Sequence, residues 1–303
     1  MKKTILYAFF AIAIVFASCG SDDDITDNGT SIKPEDVKLI ADKLYIEPFE
    51  QLHVKLDNTD EELETLWDVA WNNSGVGSVE IYSSDDLTKT KLIRKGKFYS
   101  ATQPGKATVS VTSYDMEKVA HVKSVEYEVT NPRGNFFVVR WHNFEEGKVY
   151  GCLNDIEGVK GIRFHLMLAT EYIDTKNRKD PYVHLKYSFH IGTGKEADEW
   201  KKKLTSKNRS EGKEIRDLTK NLYRECLIAN YGESKLKYEC EDGGISQTPL
   251  RPEYEKRFKY AIKDNDYPVE IWEAPYANIA LIALGNDDLP IRMNSYYVIA
   301  EPR

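Results

Sequence analysis

Cysteine is scarce in this chain: four residues in 303, at positions 19, 152, 226 and 240. Cysteines so few and so widely spaced exclude a disulfide scaffold, so the fold must rest on a hydrophobic core. Basic charge is also short, with 42 Lys and Arg against 49 Asp and Glu and a net charge of −7. That balance leaves no basic footprint for nucleic acid and argues against docking on anionic lipid through the protein surface. Long apolar runs are missing beyond the first twenty residues, and no later segment approaches a membrane span. There is no Gly-x-Ser-x-Gly and no His-Glu-x-x-His, which removes two of the commoner hydrolase signatures. No internal repeat at a fixed period appears, so a solenoid or propeller is not expected.

The amino-terminal end carries the strongest positive signal. Lys2 and Lys3 lead into an apolar run from Ile5 to Ala17 that stops at Phe16-Ala17-Ser18-Cys19. A charged start, an apolar stretch and small residues at a cleavage point are the layout of a secretory signal. As a helix the run spans only about 20 Å against roughly 30 Å of hydrocarbon, too short for a lasting anchor. Ending on cysteine, it resembles a bacterial lipoprotein signal, with Phe16 where leucine is usual. The resemblance implies cleavage before Cys19 and acylation of that residue, so that Cys19 joins the chain to membrane lipid. The next residues, Gly20-Ser21-Asp22-Asp23-Asp24, resemble the acidic export tag that sends lipoproteins of one Gram-negative phylum to the outer face of the outer membrane. Their composition also reads as a disordered tether. The expected location is therefore the outer membrane, lipid-anchored and exposed at the cell surface, with the periplasmic face as the alternative. Losing residues 1–18 removes two lysines and no acid, leaving 40 basic against 49 acidic side chains and a net charge of −9. A protein outside the cytoplasm meets neither chromosome nor nucleotide pool, so no nucleic-acid or nucleotide partner and no cofactor is expected.

Residues 19–303 are too many for one compact core, which predicts two domains. Residues 19–34 read as the acidic tether, with a reach of roughly 20 Å as a flexible coil. From Val37 to Thr130 the period is two. Leu52, Val54 and Leu56 alternate with His53 and Lys55, and Trp67, Val69 and Trp71 with Asp68 and Ala70. Val109 and Val111, then Val125, Tyr127 and Val129, repeat the pattern. Short half-buried strands divided by turn residues predict an all-β sandwich over residues 35–131. The stretch from Pro104 to Asp115, a Pro-Gly turn feeding a Val/Thr-rich strand, resembles the penultimate strand of bacterial immunoglobulin-like and PKD-like domains. Ala107 replaces the aromatic residue common there. The resemblance implies a spacer or binding module without catalysis and carries no site residues.

Asn131-Pro132-Arg133-Gly134 is a turn cluster and the candidate domain boundary. Beyond it, residues 132–303 predict an α+β domain with an antiparallel or mixed sheet and about three helices. Expected strands lie over Phe137–Trp141, Val149–Leu153, Ile162–Leu168 and Tyr182–Ile191. Three more close the chain, at Val269–Trp272, Ile279–Leu284 and Tyr296–Ala300, the apolar run Ile279–Leu284 reading as a central strand buried on both faces. Helices are expected over Lys195–Leu204 and along the stripe Ile215, Leu218, Leu222, Cys226 and Ala229, with Ser210 as N-cap and Gly232 as the stop. A third opens near Pro252 and runs through Tyr254, Phe258, Ala261 and Ile262.

Candidate site residues follow from these elements. The strand Tyr182–Ile191 places Tyr182, His184, Lys186, Ser188 and His190 on one face, and the neighbouring strand adds Arg163 and His165. Such a polar face suits an anionic or sugar ligand; the alternative is an outer face that is solvated or covered by the helices. Metal binding by both histidines of one strand is excluded by distance, since six residues of strand separate them by about 20 Å. Asp264-Asn265-Asp266 and Asn286-Asp287-Asp288 lack the glycine and closing glutamate of a calcium loop, so no metal site is assigned. Ile191-Gly192-Thr193-Gly194-Lys195 lacks the first glycine of a phosphate loop and has Glu196 where Ser or Thr belongs, and reads as a strand-to-helix turn. Cys226 and Cys240 flank a turn around Gly232 and are the candidate disulfide, worth about 3 kcal/mol if closed. Against it, Cys226 lies four residues after Leu222 on an apolar helix face, which favours a small buried hydrophobe over the bridge.

These readings point to a cell-surface lipoprotein acting as a non-catalytic binding module for an extracellular glycan or protein, carried on an immunoglobulin-like stalk. Two other classes stay open: an exported hydrolase with its active site in residues 134–303, and a structural subunit of a surface assembly.

Overall fold

Alternation of apolar and polar side chains produces strands at most of the expected places. The computed structural model describes residues 38–56, 69–75, 78–81, 96–114, 117–154, 162–175, 178–191, 194–205, 213–238, 249–284 and 296–303. The first part is all strand: β1 (Leu39–Ala41), β2 (Tyr45–Ile46), β3 (Leu52–Leu56), β4 (Val69–Gly75), β5 (Ser78–Ile81), β6 (Gly96–Ala101), β7 (Gly105–Tyr114) and β8 (Ala120–Val129). The second part mixes strands and helices: β9 (Val149–Asn154), β10 (Ile162–Thr175), β11 (Arg178–Ile191), α1 (Lys195–Thr205), α2 (Lys213–Tyr231), β12 (Leu236–Lys237), α3 (Arg251–Glu255), β13 (Asp266–Glu273), β14 (Ala277–Leu284) and β15 (Tyr296–Pro302). The fold is therefore β-rich, with three α-helices among the described residues.

Two sheets carry the structure. The larger has eleven strands in the order β1-β3-β6-β5-β9-β10-β11-β15-β14-β13-β12, and the smaller has four, β2-β8-β7-β4. Among the described residues every pairing is antiparallel except β2 on β8, so the larger sheet is antiparallel, one of the two forms expected for residues 132–303, and the smaller is mixed. Leu52 and Val54 of β3 and Tyr99 of β6 meet Val109 of β7 and Tyr127 of β8 in one core. The two sheets thus close face to face over the first part, and β7 shows why: Ala107, Val109 and Val111 point inward between exposed or half-buried neighbours.

In the second part the sheet is covered on both faces. Tyr223, Cys226 and Leu227 of α2 pack with Leu168, Leu185, Leu281 and Val298 on one side. Tyr254, Phe258 and Ile262 pack with Tyr182, Ala280, Ile282, Tyr297 and Ile299 on the other. Strand β14 lies between β13 and β15, and every residue from Ala277 to Ala283 is buried, the doubly covered central strand that its apolar run predicts. Pro268 has no amide to offer its neighbour, and the β13–β14 register shifts between Pro268 and Glu270.

Three local expectations change. The stretch Phe137–Trp141 is not a strand. It makes one isolated bridge, Phe136 to Val139, and then a turn of 3-10 helix at Trp141–Asn143. Phe137 has φ +48° and the chain doubles back on itself there. A Cβ at Gly134 would overlap the Phe137 carbonyl oxygen and the Arg140 guanidinium, so this hook needs a glycine. The third helix stops at Glu255 because the Glu301 carboxylate captures the amides of Lys259 (2.8 Å) and Tyr260 (2.7 Å) and draws them off the helical path. On α2 the buried face runs through Thr219, Tyr223, Cys226 and Leu227, while Leu222 is half-buried and Ala229 exposed. The helix ends as expected at Gly232, which sits at φ +75° and donates its amide to Ile228 at 2.9 Å. Ser210, the expected N-cap, lies outside the described residues.

The turn cluster Asn131–Gly134 is strand-free, yet the chain on its two sides is joined. Strand β5 pairs with β9 through Glu80 and Leu153. Buried Glu47 accepts the amides of Arg133 (2.9 Å) and Gly134 (3.2 Å) and pairs with Arg140 at 2.7 Å. Phe49 meets Phe137 with ring centroids 4.7 Å apart, and Tyr231 of α2 stacks on Phe136 and meets Phe137 edge-on.

Candidate binding groove

The hook after Gly134 presents its side chains to a groove between residues 43–51 and 138–150. The groove has a volume of about 520 Å³, within the roughly 300–1,000 Å³ of small-ligand sites. It continues into a hollow of about 110 Å³ that shares Val138, Arg140, Lys148 and Tyr150 with it and adds Asn143, Phe144 and Thr170. Backbone geometry explains the placement. The β1–β2 connection brings Lys43 to the rim, and the β2–β3 turn brings Glu47 and Glu50, helped by Phe49 at φ +68°. Strand β9 delivers Val149 and Tyr150 to the opposite wall. Thr170 of β10 accepts the Lys148 amide at 3.0 Å and bonds the Glu145 carbonyl at 2.5 Å, tying the 145–148 turn to the sheet.

The charges of the groove come in matched pairs. Lys43 lies 2.6 Å from Glu50, Arg140 2.7 Å from Glu47, and Lys148 3.6 Å from Glu145. Arg140 also donates to the carbonyls of Phe137 and Val138, so its guanidinium is held rigidly. The Lys148 ammonium sits 5.2 Å from the centre of the Tyr150 ring. Its pKa is raised above 10.5, first by the Tyr150 side chain, with burial opposing and Glu145 adding a smaller upward push; it is a cation at any physiological pH. Aromatic surface runs along the same wall. Phe144 is pinned between Trp141 (centroids 6.0 Å apart) and Tyr172 (5.0 Å), and the Trp141 indole N–H donates to the Tyr276 carbonyl at 2.7 Å.

The sequence-derived candidates lie elsewhere. Tyr182 and His184 of β11 are buried beneath the 250–262 segment, and Lys186 is half-buried. Neither Tyr182 nor His184 presents a surface to solvent in this structure. The side chains of Arg163, His165 and His190 lie outside the described residues. Tyr182 donates its hydroxyl to Glu171, whose other oxygen lies 3.5 Å from His184 Nδ1. Tyr182, Tyr260 and Tyr297 surround the imidazole with centroids 4.7, 5.4 and 6.1 Å away. Neither ring nitrogen makes a hydrogen bond. Burial, with Lys186 adding to it, lowers the His184 pKa to about 4, so the ring is neutral at pH 7. Cys226 is buried with its thiol 3.4 Å from the Thr102 carbonyl, while Cys19 and Cys240 lie outside the described residues. Among the described residues no group of three His, Cys, Asp or Glu side chains is arranged to hold a metal ion, and no helix is long and apolar enough to cross a membrane.

Sequence reasoning missed the groove because its two walls lie about a hundred positions apart in the chain. Its local sign in the sequence is the aromatic and charged composition of Trp141–Tyr150. No family model matches this chain, and neither does any curated protein or solved structure.

Proposed function

We propose that this chain is an outer-membrane lipoprotein, anchored through acylated Cys19 and exposed at the cell surface, whose folded part is a non-catalytic module that binds an extracellular glycan or protein. The first part, up to residue 131, serves as an immunoglobulin-like stalk. The observation that carries the binding role is the groove lined by Lys43, Glu50, Arg140, Lys148 and Tyr150. It combines half-buried apolar wall with polar groups fixed in place by their own partners, the composition of a recognition site. Support for the anchor is the Lys2-Lys3 start, the apolar run to Ala17 and the acidic residues after Cys19.

Two measurements test the reading. Mass spectrometry of the native protein should find an acylated Cys19 as first residue, and Cys19→Ala should release the chain from membranes; an intact Met1 sinks the anchor. A photo-crosslinking residue at Val149, used on intact cells, should capture a glycan or peptide that the same residue at Lys202, exposed on α1, does not. Equal capture at both positions, or none at Val149, removes the groove from the account.

A further inference from the structure

We infer that the groove takes a neutral oligosaccharide rather than an acidic one. This rests on the binding-module reading and names its ligand class. Each of the three cations that line the groove and its hollow already faces a carboxylate: Lys43 with Glu50, Arg140 with Glu47, Lys148 with Glu145. A uronate or sulfate entering here must take a cation from its partner and leave a glutamate beside the incoming negative charge. Like charges at such distances are costly in a partly desolvated cleft. A sugar hydroxyl both donates and accepts, so it bridges an ammonium and a carboxylate without separating them. Asn143 and Gln51, one in the hollow and one at the rim, add amide groups with the same dual capacity.

The walls suit a pyranose as well. Tyr150 and Phe144 provide ring surface, with Val138 and Val149 beside them. The negative face of an aromatic ring attracts the C–H bonds on one side of a sugar. Phe144 is already immobilised by Trp141 and Tyr172, so little side-chain entropy is lost when a ligand settles on it.

The test is calorimetric titration of the full mature chain in detergent with cellohexaose, mannohexaose, maltohexaose and xylohexaose, set against hexagalacturonate and a heparin hexasaccharide. At least one neutral hexasaccharide should bind, with an affinity unchanged between about 0.05 and about 0.5 M salt, because no ion pair forms with the ligand. Tyr150→Ala should weaken it by about tenfold or more. Gln51→Ala, at an exposed loop position that leaves the core untouched, should weaken it several-fold. Glu50→Gln leaves Lys43 unmatched and should raise the affinity for hexagalacturonate. Binding of the acidic sugars alone, weakened by salt, overturns the neutral-glycan inference and leaves the binding module standing. Neutral binding that survives both Tyr150→Ala and Gln51→Ala also overturns it. If no hexasaccharide of either kind binds, the glycan is wrong, and the crosslinks from Val149 decide separately whether the groove binds a protein.

Discussion

At the scale of single residues the most consequential choice is a histidine left without hydrogen bonds. His184 is 5% exposed; neither ring nitrogen meets hydrogen-bond geometry, and Nδ1 faces the Glu171 carboxylate at 3.5 Å. Its surroundings are known on every side. Glu171 comes from β10, Tyr182 and Lys186 from its own strand, Tyr260 from the covering segment, and Tyr297 with Asp266 from β15 and β13. Burial first, then Lys186, lowers its pKa from 6.5 to about 4. The unfolded chain takes up a proton below 6.5 while the folded chain resists until about 4. The stability contributed by the neutral ring is therefore complete above 6.5 and lost as the pH falls between those values, a change of about 3 kcal/mol. Glu301 and Asp266, whose carboxyls burial pushes up, act in the opposite sense. Comparison with His184→Phe cancels them, since the phenyl ring fits the aromatic cage and does not titrate. Urea unfolding at pH 7 and pH 4 should show the native chain losing about 3 kcal/mol more than the variant; equal losses refute the assignment.

At the scale of elements, legibility follows locality. Strand β3, strand β7 and the doubly buried β14 could be read because their periods of burial are written in neighbouring residues. The end of α2 could be read because Gly232 is a local device. Elements shaped by distant partners could not. The hook at 134–143 answers to Glu47, more than eighty positions upstream, and α3 is cut short by Glu301, some forty positions downstream. The strand face carrying His184 was legible as a face, but not what covers it, because the 250–262 cover is pinned by long-range bonds: Lys259 to Asp180 at 2.8 Å and the Glu301 carboxylate to two amides. This makes Glu301 the peg of the cover. Glu301→Ala should leave the amides of Lys259 and Tyr260 without acceptors, cost about 2 kcal/mol, and accelerate hydrogen exchange over 256–262 well beyond that of β14. Exchange that rises uniformly across residues 132–303, or not at all, would contradict the role.

At the scale of the whole molecule the question is how firmly the two parts are coupled. Among the described residues strand pairing joins them through one residue pair, of β5 with β9. Side chains do the rest. Glu47 ties Arg133, Gly134 and Arg140 to the first part. The Thr102 carbonyl accepts from Asn230 at 2.8 Å and from the Cys226 thiol, fastening α2 to the β6–β7 turn. Phe49 inserts from the β2–β3 turn against Phe137, and it is 3% exposed. A buried phenylalanine removed without collapse of its site costs about 3–5 kcal/mol, and here nearly all of that contact lies across the joint. Coupling of that size, against a stability of about 5–15 kcal/mol per domain, makes the parts melt together. Scanning calorimetry should show one transition for the native chain. Phe49→Ala should split it into two, because the sandwich keeps its own core of Leu52, Val54, Val109 and Tyr127 and the second part keeps the cores on either side of β14. Two transitions already present in the native chain, or a single lowered transition in Phe49→Ala, would show that the aromatic contact is not what couples them. The groove spans this joint, with Lys43, Glu47 and Glu50 on one side and Arg140, Lys148 and Tyr150 on the other. A ligand bound there must therefore raise the midpoint of the joined transition in the native chain, and have a smaller effect once Phe49→Ala has let the two walls separate.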